Sequence, residues 1–289
     1  LGGQGEGPGE FMGADRLFRG VADSLIVWDS RSVRASVFAP DGGFVRTIPL
    51  DPRPQVPRLQ GVDGLGRLLV VATNLAGSSS TEITRLTEVR MLYDATGRLI
   101  DTLGAAPGMA GVIRGSGDRL EVLRPLVAPT TTYAMGGSLL WIETGESRRL
   151  ERVDLERKTR QVITWDGPDL SMTPALQKAI VEDLVRTVPE ERRSGYRATL
   201  ERRPVPSSIP ATSRVLADST GRGWLELAPI PGQSARATWI VFGTHGDPEA
   251  RLDLPLNVSI QSVLGDAIIV VERDDLDVEH LRLYRLSGF

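Results

Sequence analysis

The sequence predicts an all-β fold, a six-bladed β-propeller with five blades inside these 289 residues and one helical insertion. Three observations predict it. Short apolar runs recur along the chain, LIVW from Leu25, LLVV from Leu68, LLWI from Leu139, WLEL from Trp224 and IIVV from Ile268, each entered through a Gly, Asp or Ser turn. The first and last intervals between them are 43 and 44 residues, which fits the period of known propeller repeats, about 40 to 50 residues. Behind each run come further strands joined by tight turns, so that one repeat is an antiparallel meander that cannot bury its apolar faces alone.

The clearest unit lies at the start, where GEGPGEF at Gly5 to Phe11 precedes DSLIVWDSRSVRASVFAPDGGFVRT. It reads as a strand, a short polar turn, a strand ending in VF, a tight turn and a further strand. Asp41-Gly42, and later Gly97, supply the positive φ that a tight hairpin needs and a β-branched residue resists. The outer strands recur as VRMLYDATGRLIDTL after Glu88, LERVDLERKTRQVITW after Arg149 and WIVFGTHGDPEARLDLP after Thr238. The last repeat has HLRLYRL from His280 and no outermost strand. The opening GGQGEGP corresponds to the exit from a fourth strand, so a further blade and a closing strand are expected ahead of Leu1. Such a closing strand removes an edge that would otherwise pair with a neighbour.

The two middle intervals, 71 and 85 residues, hold insertions. The first maps to 104–129, where GDRLEVL suggests an extra hairpin. The second maps to 166–207. There Leu176, Ile180, Leu184 and Val188 recur every four residues behind Thr173 as N-cap and Pro174 at the first helical position, the pattern of an amphipathic helix. Pro189 opens a weaker segment, EERRSGYRATLERR, with Tyr196 and Leu200 on one side, stopped by Pro204 and Pro206. We expect a helical hairpin at 166–207 that braces the propeller with its apolar stripe, the alternative being a lid or docking element. The chain 1–289 is otherwise one propeller domain.

Composition narrows the function classes. Net charge is −3, with 34 basic and 37 acidic residues, so no broad positive field collects phosphates and nucleic acid is not an expected partner. Only Lys158 and Lys178 are lysine. The scattered arginines are expected to lay their stems over the sheets and expose their guanidiniums. The chain contains no cysteine, which removes disulfides and thiolate chemistry without assigning a compartment. No run reaches the 18 or so apolar residues of a membrane span.

With GPGEF, DSLIVWD, VFAPDGGFV, the helical segment ahead of the fourth run and the ending LDVEHLRLYRL in view, the chain resembles the bacterial six-bladed β-propeller proteins of the NHL-repeat-like and TolB-like kind. The likeness runs over almost the whole length. It implies an exported protein, periplasmic, secreted or lipid-anchored, and names no activity.

Candidate chemistry is sparse. Asp274, Asp275, Asp277 and Glu279 beside His280 form the densest set of hard ligands and could hold calcium, although the spacing is not that of an EF-hand and a solvated turn accounts for it equally well. His245 and His280 are the only histidines, too few for a three-histidine zinc site such as that of the NHL-type lyase. A carboxylate site of the gluconolactonase-like propellers would draw on Asp23, Asp63, Glu143, Glu226 and Glu272, whose simpler role is to pair with arginines between blades. Glu10 is expected to accept backbone N–H groups of the GPGEF turn while Phe11 fills apolar space. Asn257-Val258-Ser259 fits a glycosylation sequon. No nucleophile elbow, Walker loop or dinucleotide fingerprint is present. We therefore expect a monomeric extracytoplasmic module that binds a protein or small-molecule ligand on one face of the ring, without catalytic residues or a cofactor. The rivals are a divalent-metal hydrolase or lyase working in the central channel, and a structural partner in a surface assembly that docks through the helical hairpin.

Overall fold

The computed structural model describes residues 2–74, 79–115 and 121–287. Among the described residues, twenty strands form five antiparallel meanders. Blade one is β1 (Ala14–Arg19), β2 (Leu25–Asp29), β3 (Arg34–Phe38) and β4 (Phe44–Pro49). Blade two is β5 (Pro57–Val62), β6 (Leu68–Asn74), β7 (Thr84–Tyr93), β8 (Leu99–Arg114) and β9 (Glu121–Leu123). Blade three is β10 (Thr132–Gly136), β11 (Leu139–Glu143), β12 (Arg149–Asp154) and β13 (Thr159–Thr164). Blade four is β14 (Thr212–Ala217), β15 (Gly223–Leu227), β16 (Arg236–Phe242) and β17 (Pro248–Pro255), and blade five is β18 (Val258–Leu264), β19 (Ala267–Arg273) and β20 (Glu279–Arg285).

Every apolar run is a second strand, and those of the three middle blades, β6, β11 and β15, are buried on both faces. Along β6, Leu68 and Val70 pack toward blade one while Leu69 and Val71 pack toward blade three. Alternation along one strand thus feeds two separate cores, which turns an alternating pattern into a continuous apolar one. Four such cores lie between consecutive blades. Trp28, Trp141, Trp224 and Trp239 are fully buried in them. Gly223 permits one close approach, since a Cβ there would lie 2.6 Å from the Trp141 ring.

The first strand of each blade, β1, β5, β10, β14 or β18, faces the channel. Neighbouring first strands touch from β1 through to β18, and the ends of all five line one mouth of the channel. These inner strands carry no apolar run that would mark them in the sequence. At the GPGEF turn Glu10 accepts as expected, from Gly7 N–H to its Oε2 at 2.9 Å, and Phe11 packs beside Phe38 of blade one, 5.9 Å centroid to centroid.

The first insertion adds the antiparallel pairing expected of it, and the second departs from expectation in its buried stripe. In 104–129 one strand is added to blade two: β8 runs to Arg114 and β9 pairs with its end. Residues 117–120 of the GDRLEVL motif lie outside the described residues. In 166–207, α1 (Pro174–Arg186) starts as expected, with Thr173 Oγ1 accepting from Leu176 N–H at 3.1 Å, and α2 (Arg193–Leu200) follows. The buried stripe of α1 is Leu176, Ile180, Val181 and Val185, and Val188 falls beyond the helix. A strict four-residue spacing drifts off a 3.6-residue face, so the stripe shifts to Val181 and Val185.

Candidate functional site

The inner strands carry arginines at their leading ends. Arg16 of β1 donates through Nη1 to Gln60 Oε1 of β5 at 2.9 Å. Arg58 of β5 donates to Glu88 Oε1, and Tyr133 of β10 donates its hydroxyl to Glu88 Oε2 at 3.1 Å. Glu88, only 3% exposed, thereby bridges blades two and three at the channel wall. Burial, then the negative charge of Glu88, pushes the Tyr133 phenol well above its usual value, so it remains a donor. Arg214 of β14 pairs with Glu226 Oε2 at 2.9 Å, donates to Ser259 Oγ at 2.9 Å and lies 5.1 Å from the centroid of the Trp239 ring.

Both insertions meet over this mouth. Leu126 N–H, just after β9, donates to Pro204 O, just after α2, at 2.8 Å. Leu126, Leu176, Ile180, Val181, Val185, Leu200 and Ile209 make one small core. The helical stripe therefore packs against the first insertion and against loop residues such as Ile209 and Ile230, not directly on a sheet. Bidentate pairing of Arg197 with Glu182, at 2.6 and 2.9 Å, clamps α2 to α1. Beneath this cap lies a cavity of about 500 Å³, bounded by inner-strand residues Arg16, Arg58, Gln60, Tyr133 and Arg214, by Thr130 just ahead of β10 and, from the insertions, by residues including Met109, Arg124 and Arg203.

The opposite mouth, about 630 Å³, is bounded by the trailing ends of the inner strands. Its buried carboxylates are committed to their own turns. Asp63 accepts from the N–H groups of Leu65 and Arg67 and from Arg67 Nε, and Asp218 accepts likewise from Thr220, Arg222 and Arg222 Nε.

The remaining sequence candidates are dispersed. Asp23 pairs with Arg19 at the surface. Glu226 and Glu272 pair with Arg214 and Arg282 of their own blades, not between blades as expected, because the partners sit on the adjacent strand of the same sheet. Glu143 is fully buried, accepts from Gly145 N–H and has no ion-pair partner among the described residues; burial pushes its carboxyl above the usual 4.5, against the pull of the Thr212 hydroxyl. Asp274 spends its oxygens on Leu276 N–H, Val278 N–H and His280 Nε2. His245 lies in an exposed turn near Thr244, and Asn257 donates its amide to Arg273 O at 2.7 Å. Among the described residues, no three His, Asp or Glu side chains are grouped to hold a metal ion. Nor are the arginines simply a solvated surface: Arg85 and Arg90 are buried, with Arg85 bonded to the carbonyls of Gly108, Pro107 and Thr144.

The site arginines left one trace in the sequence. Arg16, Arg58 and Arg214 each stand nine or ten residues ahead of an apolar run, at Leu25, Leu68 and Trp224. Arg124 and Arg203 left none, since the fold of the insertions alone brings them to the mouth.

No family model matches the chain, and no curated protein matches it. Solved structures do. A member of the DUF4221 family from Bacteroides vulgatus is 11% identical at a TM-score of 0.51, over 97% of this chain and 81% of that one. An exported-protein candidate from Bacteroides fragilis is 13% identical at 0.45, over 94% and 70%. Streptogramin B lyase is 12% identical at 0.38, over 94% and 68%. The first of these supports the propeller-type fold; at such identities none carries a function.

Proposed function

We propose that this propeller is an extracytoplasmic binding module that seats a small-molecule ligand in the capped cavity at the leading ends of its inner strands. One observation carries the reading. Two insertions of separate origin, 104–129 and 166–207, converge over the same mouth and join through Leu126 N–H and Pro204 O. A cavity of about 500 Å³ is in the range of small-molecule sites, and polar groups converging from several blades fix a ligand's orientation. The export half of the proposal rests on the resemblance of the sequence to bacterial exported propellers.

The absence of cysteine makes the test direct. Thr130 is an exposed residue on the rim of the cavity, and Ser219 is exposed at the opposite mouth. Thr130→Cys and Ser219→Cys proteins, each labelled with an environment-sensitive fluorophore, are screened against a panel of charged and neutral metabolites. The expected result is a saturable response from the label at position 130 alone. Responses confined to position 219 would place recognition at the other mouth and overturn the assignment. Fractionation of cells expressing the native gene tests export.

A further inference from the structure

The capped cavity carries an uneven charge. Five guanidiniums line it, those of Arg16, Arg58, Arg124, Arg203 and Arg214, against one carboxylate, Glu88. Two of the five are neutralised, Arg58 by Glu88 and Arg214 by Glu226. Three are not. Arg16 donates to the uncharged Gln60 Oε1, and the side chains of Arg124 and Arg203 have no hydrogen bond or ion pair among the described residues.

Resting on the reading above, we infer that the cavity takes a small organic polyanion, a molecule with two or more carboxylate or phosphoryl groups, held by the guanidiniums of Arg16, Arg124 and Arg203. The chemistry follows from the residues. Arginine presents a planar fork that engages carboxylate or phosphoryl oxygens in pairs, and it keeps its charge when water is excluded. Arg16 and Arg124 are exposed and Arg203 is half-buried, so an anion from solvent reaches all three; partial desolvation of the Arg16 guanidinium, then the neighbouring Arg58, holds it below its ordinary 12.5 against the pull of Asp15. An anion placed between these cations replaces repulsion by attraction. The cluster is local: the chain as a whole is acidic, at −3, so the positive charge belongs to this mouth and not to a surface suited to nucleic acid.

Calorimetric titration with succinate, citrate, phosphate and pyrophosphate, and with glucose as a neutral control, tests the inference at low and high salt. We expect at least one anion to bind, with affinity falling as salt rises, and no heat from glucose. Carboxylate-only or phosphoryl-only binding assigns the headgroup. Arg16→Gln and Arg203→Gln should each weaken binding about tenfold or more, the scale of one charge-assisted contact, while the melting temperature of the free protein holds or rises. Should none of the anions bind while the label at position 130 still reports neutral ligands, the cavity assignment stands and the anionic class is wrong. If the label at position 130 reports no ligand of any kind, the cavity assignment itself has failed.

Discussion

Arg222 closes the first hairpin of blade four onto Asp218, Nε to Oδ2 at 2.7 Å, in the geometry that Arg67 uses on Asp63 at 2.5 Å in blade two. Both turns have the sequence D-x-x-G-R, at Asp63 to Arg67 and Asp218 to Arg222. The glycine, at φ 76° and 97°, turns the chain where other residues would strain. The aspartate then collects N–H groups that the turn leaves without strand partners. Each carboxylate side chain is fully buried, so its removal takes the acceptor from the guanidinium Nε and from several N–H groups at once. We expect Asp218→Ala and Asp63→Ala each to cost about 3 kcal/mol. Because the turns sit in different blades, the double variant should cost nearly the sum. Urea denaturation of the three proteins measures this.

The same aspartate sets a response to acid. Burial pushes the Asp218 carboxyl upward, but its hydrogen bonds with Thr220 and Arg222 and the charge of Arg222 outweigh it and hold the pKa below the usual 3.8. A carboxyl lowered in the folded state contributes stability that is fully present above pH 4 or so and is lost as pH falls through the folded value. The melting temperature should therefore decline below about pH 4, with a shallower decline in Asp218→Asn. An equal decline in both proteins would assign the acid sensitivity to other carboxylates.

Glu143 has the opposite sign. Its carboxyl is raised by burial, so ionising it in the fold opposes stability, and that penalty grows as pH rises from 4.5 through the folded value. Its Oε2 and the Thr212 hydroxyl are both buried without a well-formed hydrogen bond. Glutamine keeps an acceptor for Gly145 N–H and brings a donor toward Thr212. Glu143→Gln should thus match or exceed the native melting temperature at pH 8 and flatten its pH dependence. A loss at pH 8 would mean that the charge itself is stabilising.

The cap has a core of its own. Leu126 from the first insertion and Ile180 from the second share a buried cluster. Each alanine substitution should cost about 2 to 4 kcal/mol, and the double variant less than the sum, because the second truncation enters a core already loosened. Additive costs would mean that the insertions are independent braces.

How much of this was legible in the sequence depended on which faces a strand buries. β6, β11 and β15 pack on two sides, β2 and β19 join one core each, and all five stand out as apolar runs, at Leu25, Leu68, Leu139, Trp224 and Ile268. The inner strands, such as ADRLFR and TSRVLA, turn one face to the channel and mix charge with apolar residues, so they gave no run to find. The site lies on those strands. Thr173 and Pro174 announced α1 through local capping chemistry, whereas the approach of Leu126 to Pro204 across 78 positions is tertiary and has no local signature.

Blade five separates the faces of a sheet most sharply. On the side toward blade four, Ile260, Ile268 and Val270 are buried against Trp224 and Trp239. On the other side, register places Leu281 opposite Val271 and Leu283 opposite Ile269, yet Leu281 and Leu283 are 73% and 60% exposed. A side chain already in water has little transfer energy to lose. Leu281→Ser and Leu283→Ser should therefore change stability by no more than about 0.5 kcal/mol, while Ile268→Ala, on the buried face of the same sheet, should cost about 2 to 5 kcal/mol. Urea titration of this chain discriminates between the faces. A large cost at Leu281 would mean that the open face of blade five is covered in solution.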